Sequence, residues 1–295
     1  MQTLRRFLEM IRFSHTLFAL PFALFSAILA WYSKNAFSIV ELVGILLCMV
    51  FARSAAMAFN RLADRDVDAR NPRTAIRHLP SGQLSVRSVW LFTLVCCAGF
   101  VGSTALFLLE GNDWPIYLAV PVLLFVLAYS YTKRFTALAH FWLGASLLLA
   151  PMAAWIAIRG FDDWLTPLVL GLAVLFWVAG FDIIYACQDA DFDRAAKLHS
   201  IPAALGVPAA LRLARWSHRI MVAMLILLYL LASPPSGPLG WVFLSALGGV
   251  TALLTYEHAL VRPDDLTRVN QAFFNVNIII SVGLLLVLLI EVARN

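Results

Sequence analysis

Nine apolar runs set the terms on which this chain can fold. They occupy residues 13–33, 38–60, 87–109, 115–132, 137–158, 164–188, 218–233, 238–256 and 272–292. Several reach or pass the roughly 20 residues a helix needs to cross a bilayer. Hydrophobic residues make up 62% of the chain and charged residues 13%, about half the usual charged share of a soluble domain. That is too little charge to coat a water-soluble protein of this length. The expected fold is all-α: a polytopic membrane protein of nine transmembrane helices forming a single domain over 1–295. The longest hydrophilic stretches are 61–86 and 189–217, and Pro234-Pro-Ser-Gly-Pro238 marks a tight turn.

The basic residues give the orientation. If the N-terminus is cytoplasmic, 18 of the 22 Lys and Arg residues fall in inside segments. Lys34, Arg159 and Arg294 fall outside, and Arg53 lies within a span. This bias predicts an N-terminus inside, a C-terminus outside and both long loops cytoplasmic, in the inner membrane of a cell. The net charge of +5 is thus spread along loops beside apolar runs, which argues against a nucleic-acid partner. Leu4, Phe7, Leu8 and Ile11 recur at helical spacing among Arg5, Arg6, Glu9 and Arg12. They predict a short amphipathic helix on the membrane surface rather than a cleavable signal. Cys48, Cys96, Cys97 and Cys187 lie in or beside apolar runs with no CxxC pair, so neither a disulfide framework nor a zinc site is expected.

Two acidic constellations stand out. The first is Asn60-Arg-Leu-Ala-Asp64-Arg-Asp66-Val-Asp68-Ala-Arg70. On a continuing helix, with Asn60 as origin, Asp64 falls at about 40°, Asp68 at about 80° and Arg53 at about 20°, while Asp66 points away. The second is Asp182-Ile-Ile-Tyr185-Ala-Cys-Gln-Asp189-Ala-Asp191-Phe-Asp193, where Asp182, Tyr185, Asp189 and Asp193 share a face and Asp191 does not. Asp64 and Asp68 recur as Asp189 and Asp193 at an offset of 125 residues. This echo suggests pseudo-repeat halves of about 13–135 and 137–256, with 272–292 as an added helix.

Hard carboxylate oxygens in two copies suit magnesium, which takes one or two protein carboxylates and fills its shell with phosphate oxygens. Arg70, Arg73, Arg77, Lys133, Arg194 and Lys197 lie nearby in sequence and can neutralise phosphate charge. Metal and cations together stabilise diphosphate as a leaving group, and an aromatic-rich, dry cavity can hold the allylic cation that remains. Asp182 lies inside an apolar span, where an unpaired carboxylate is costly. DRDVDARN also looks like the opening of a calcium loop, but the required glycine is Ala69 and the closing glutamate is Ala75.

At these residues the chain resembles the UbiA superfamily of intramembrane prenyltransferases. Asn60, Asp64 and Asp68 match its NxxxDxxxD motif, and Asp182, Tyr185, Asp189 and Asp193 match DxxYxxxDxxxD. RNPRTAxR at Arg70–Arg77, YSYTKR with Tyr129 and Lys133, Arg12, Arg53 and APMAAW at 150–155 extend the resemblance along the chain. The departures are His199, where some relatives carry lysine, and His78, at a position often held by a smaller or apolar residue.

The resemblance implies nine helices around a central cavity with a cytoplasmic cap, and two Mg²⁺ ions bridging a diphosphate to both motifs. It implies that Asn60, Asp64, Asp68, Asp189 and Asp193 hold metal. Arg12, Arg53, Arg70, Arg73, Arg77, Tyr129, Lys133, Arg194 and Lys197 would bind the diphosphate or steer anionic substrates. Asp182 and Tyr185 would orient the aromatic ring or take its proton. The expected reaction moves a polyprenyl group from polyprenyl diphosphate to 4-hydroxybenzoate or a related hydroxynaphthoate, in ubiquinone or menaquinone biosynthesis. The alternatives are haem or lipid farnesyl or geranylgeranyl transfer and, less closely, an ion or anion transporter.

Overall fold

A computed structural model describes residues 2–11, 19–235 and 237–294. Its α-helices, in chain order, are α1 (Gln2–Met10), α2 (Leu20–Lys34), α3 (Ile39–Ala63), α4 (Arg65–Asp68), α5 (Val86–Thr104), α6 (Trp114–Thr132), α7 (Ala139–Arg159), α8 (Leu165–Ala186), α9 (Ala190–Ala195), α10 (Ile201–Leu205), α11 (Val207–Ala232), α12 (Trp241–Leu260), α13 (Val269–Gln271) and α14 (Asn277–Arg294). No β-strand occurs among the described residues. Seven helical stretches there are long and apolar enough to cross a membrane. They begin at Ile39, Val86, Trp114, Ala139, Leu165, Val207 and Phe274. The runs at 13–33 and 238–256 correspond to α2 and α12, which are helical but outside those seven.

The chain divides into two compact units, residues 1–16 with 38–131 and residues 17–37 with 132–295. In the first, α3 packs on α5. Ala55, Cys96, Phe100, Ala119 and Leu123 form one core. Met10, Ile11, Ala58, Leu79, Leu84 and Val89 form another, with Phe7 stacked on Phe92 at 4.7 Å between ring centres. Phe7, Met10 and Ile11 thus pack against the long loop and α5, while Leu8 stays exposed at 43%. Arg6 donates to the Gln83 carbonyl, and His78 stands 3.6 Å from Glu9. Arg5 bonds Glu9 at 2.8 Å and holds that carboxyl below its ordinary range.

In the second unit α8 is the central helix, with α7 and α11 packed along it and α2 against α7. Trp177, Ile183 and Ile184 of α8 are fully buried. With lipid tails as apolar as Leu, such helices gain mainly from close packing and buried hydrogen bonds. Gly144 supplies the first: a Cβ there would collide with the Leu175 carbonyl, so α7 and α8 approach backbone to backbone. Asn277 supplies the second, accepting from Trp177 Nε1 at 2.6 Å and donating to Glu257 Oε1 at 3.3 Å. Glu291 of α14 accepts the Gly240 and Phe243 N–H groups, each at 2.9 Å, and so caps the start of α12 with a negative charge where the helix dipole favours one.

One boundary differs from the apolar pattern. The span expected at 218–233 starts at Val207, behind the Gly206 cap and Pro208. Its first turns bury Ala210, Leu211 and Ala214 and expose Arg212 and Arg215, so hydropathy averaged over the window hides a helix that is amphipathic there.

Candidate active site

In the first unit the acidic row begins near the end of α3. Asn60 Nδ2 donates to Asp64 Oδ2 at 3.2 Å. The helix breaks at Asp64, with φ −94 and ψ 3, and α4 resumes at Arg65. The backbone ladder nevertheless continues, Asp64 N to Asn60 O at 2.9 Å and Asp68 N to Asp64 O at 2.8 Å. The row expected on a straight helix thus survives with a bend at its middle acid. Asp64 and Asp68 are buried at 3% and 4% exposure, whereas the off-face acid Asp66 pairs with Arg65 in the open.

Asp68 is gripped from two sides. Arg77 Nη1 donates to both of its carboxylate oxygens at 2.7 Å, and Arg61 stands 3.9 Å away. Thr74 donates to the Asp68 carbonyl at 3.0 Å, and the Asn71 side chain accepts Arg73 N at 3.0 Å. The RNPRTAIR segment therefore folds back over the acid row as an ordered cap. Arg77, expected at a diphosphate, spends its charge on Asp68, and Arg61, which the sequence pattern did not single out, joins it. Arg70 bonds the Asp66 carbonyl, Arg73 is exposed and Tyr129 half-buried. Arg53, two turns below Asn60, keeps a buried Nε with no hydrogen-bond partner among the described residues. An intramembrane guanidinium with a spare buried donor is suited to an anion. Arg12 lies outside the described residues.

In the second unit the row repeats the construction. The α-helical part of α8 stops at Ala186, Cys187–Asp189 form one 3-10 turn, and α9 follows. Asp189 takes φ −104 and ψ 4, nearly the Asp64 conformation, in the sparsely populated bridge between helix and extended backbone. Neither Asp64 nor Asp189 caps the short helix it precedes with its side chain, although aspartate there ordinarily does. Asp193 has Asp189, Lys133 and His140 as charged or ionisable neighbours and a hydrogen bond with the Ser200 side chain. Asp191 is 99% exposed and bonds Arg194 at 3.0 Å, so Arg194 pairs with the off-face acid. Lys197 is exposed, with a left-handed φ of 56. The Lys133 carbonyl accepts His199 N at 2.7 Å.

Asp182 and Tyr185 sit about two turns and one turn before the break, both half-buried. Asp182 Oδ2 lies 2.7 Å from His140 Nδ1. No motif pointed to His140, which lies in an apolar run 42 residues from its partner; only the rule that an ionisable group at membrane depth needs a reason could have flagged it.

Among the described residues no three His, Cys, Asp or Glu side chains converge on one point. The donors are instead spaced carboxylates and one amide, hard oxygens of the kind magnesium takes one or two at a time. The neighbouring Asp189 and Asp193 carboxylates repel each other, which a divalent cation relieves. The residues present therefore fit Mg²⁺ shared with a phosphate-bearing substrate.

The model of the UbiA prenyltransferase family matches residues 19–279. The chain belongs to that family. It is an enzyme of the prenyltransferase class and a multi-pass membrane protein. It is 30% identical over 242 residues to the 4-hydroxybenzoate octaprenyltransferase of Acidovorax ebreus, covering 81% of this chain and 78% of that one. It is 31% identical over 253 residues to the 4-hydroxybenzoate octaprenyltransferase of Vibrio cholerae, covering 83% and 84%. The apo structure of a UbiA homologue from Aeropyrum pernix superposes with a TM-score of 0.81 at 31% identity, over 95% of this chain and 98% of that one. A UbiA homologue from Archaeoglobus fulgidus bound to GPP and Mg²⁺ shares the fold, with a TM-score of 0.73 at 22% identity, over 98% and 99%.

Proposed function

We propose that this UbiA-family enzyme transfers a polyprenyl group from polyprenyl diphosphate to an aromatic acid, 4-hydroxybenzoate or a related hydroxynaphthoate. One observation carries the reading. Each acidic row bends at its middle aspartate, and at both bends the carboxylate is withheld from the helix-capping role its position offers. Two acids held at matching backbone angles, their carboxylates not used as helix caps, suit a ligand. The relatives named as 4-hydroxybenzoate octaprenyltransferases support the acceptor.

In this reading Asn60, Asp64 and Asp68 in the first unit and Asp189 and Asp193 in the second would hold Mg²⁺, two ions in all. Bound magnesium supplies the charge that makes diphosphate a good leaving group. Lys133, Lys197, Arg70, Arg73 and Arg194 meet the outer phosphate oxygens, Arg53 and Arg12 steer the anionic substrates, and Tyr129 lines the approach. Arg77 acts through Asp68, which it orients. The allylic C–O bond breaks with its electron pair leaving on the diphosphate. A ring carbon beside the phenol forms the new C–C bond, and its proton passes to a carboxylate, for which Asp182 is placed with Tyr185 beside it. The basic residues put the N-terminus and both rows on the cytoplasmic side of the inner membrane. The 125-residue echo puts the rows in repeated halves of one domain.

The test supplies membranes containing the protein with one polyprenyl diphosphate and both acceptors, and reads products by mass spectrometry. Prenylated hydroxybenzoate or hydroxynaphthoate is expected. Prenylated haem or a prenylated glycerol lipid in its place, or ion flux in liposomes without turnover, would overturn the reading.

A further inference from the structure

We propose that His140 is a positioning residue for Asp182, holding the carboxylate toward the acceptor ring by one hydrogen bond from a fixed tautomer. The proposal rests on the role given above to Asp182. His140 is the second residue of α7, and Asp182 lies one turn before the end of α8. Its Nδ1 is 2.7 Å from Asp182 Oδ2, well within hydrogen-bond distance. The other ring nitrogen decides where the proton is. Nε2 accepts the Ile201 backbone N–H at 3.4 Å, so it carries no hydrogen. A neutral imidazole has one N–H, which must then be on Nδ1 and donate to Asp182.

The exposures give the arrangement its direction. The His140 side chain is 6% exposed and that of Asp182 is 19%, so the imidazole is sealed behind a carboxylate that opens outward. The Ile201 N–H is a donor at the start of α10, which the helix itself cannot satisfy. The adjacent Ser200 side chain bonds Asp193. One imidazole thus ties the start of α7 and the end of α8 to the segment that also contacts the second acidic row. Loss of the ring frees Asp182 to rotate about its side-chain bonds.

The experiment compares His140→Ala, His140→Gln and His140→Asn in membranes for turnover and for retention of prenyl diphosphate. An asparagine amide nitrogen falls near the position of Nδ1, and a glutamine amide nitrogen near that of Nε2. His140→Ala and His140→Gln should lose kcat by about 10²-fold, the usual scale for a misplaced reacting group, with the KM for prenyl diphosphate within about twofold. His140→Asn should recover most of the rate. A role in packing alone predicts instead that Gln serves as well as Asn and that KM moves with kcat; either result would overturn the proposal.

A second readout needs no turnover. In protein labelled with ¹⁵N-histidine, the resonances lost in His140→Asn should report a protonated Nδ1 and a bare Nε2; a proton on Nε2 would overturn the tautomer. If the wild type prenylates no aromatic acid, the functional reading fails, and the tautomer still decides whether this bond exists. If the wild type is active and His140→Ala equals it, the positioning role alone fails.

Discussion

Replacing Arg77 by Met separates two roles of Asp68 that the structure superimposes. Asp68 is 4% exposed, and both carboxylate oxygens accept from Arg77 at 2.7 Å. Without the guanidinium, the nearest cation is Arg61 at 3.9 Å. Breaking a buried pair by removing one partner costs about 3–5 kcal/mol. Arg77 is itself 22% exposed, so water reaches the site and Arg61 makes up part of the loss. We therefore expect about 2–3 kcal/mol of destabilisation. Asp68→Asn in the same background removes the stranded charge, and the double variant should regain most of that loss. Stability would be read from unfolding midpoints in detergent and turnover from membranes. Stability should recover in the double variant and activity should not, because an amide replaces a carboxylate proposed to hold metal. A double variant with restored turnover would refute the metal role, and an unchanged midpoint in Arg77→Met would refute the energetics of the clamp.

Other expectations follow from the same geometry. Asp189→Asn should slow transfer by about 10²-fold, the scale of losing one charge-stabilising group, while Asp191→Asn, two residues on but 99% exposed, should match the wild type in the same assay. Membranes stripped with a chelator should lose transfer and recover it with Mg²⁺, which would be followed by product mass spectrometry. Asn277→Leu removes one bond to Trp177 and one to Glu257 and leaves buried polar groups unpaired, at about 1–3 kcal/mol each; it should lower the unfolding midpoint without changing which acceptor is used. Gly180→Ala would drive a methyl group into the His218 ring, and its yield of folded protein should fall well below that of Gly248→Ala, where nothing lies within 4 Å.

Much of this was legible in the sequence because the bilayer constrains composition over whole helices. The apolar runs mark most helices correctly, and helical spacing separates Asp64 and Asp68 from Asp66, and Asp189 and Asp193 from Asp191. Where averaging was the method, it failed locally. The start of α11 is hidden because Arg212 and Arg215 are exposed opposite buried Leu211 and Ala214. The bends at Asp64 and Asp189 escape a constant helical period, since a 3-10 turn or a single bridge residue leaves no compositional trace. Contacts between distant residues escape it altogether. Arg77 on Asp68 and His140 on Asp182 depend on how a loop folds back and how two helices pack.

The close contact of α7 with α8 at Gly144 has a consequence beyond packing. One turn before it on α7 stands His140, and two turns after Leu175 on α8 stands Asp182. The gap between those side chains is set by how near the two backbones come, and that nearness depends on hydrogen where any other residue carries carbon. Hydrogen bonds weaken within a few tenths of an ångström, so a methyl group at Gly144 would act as a shim, parting imidazole from carboxylate. A mutational screen for lost turnover should therefore find a position that has no side chain at all.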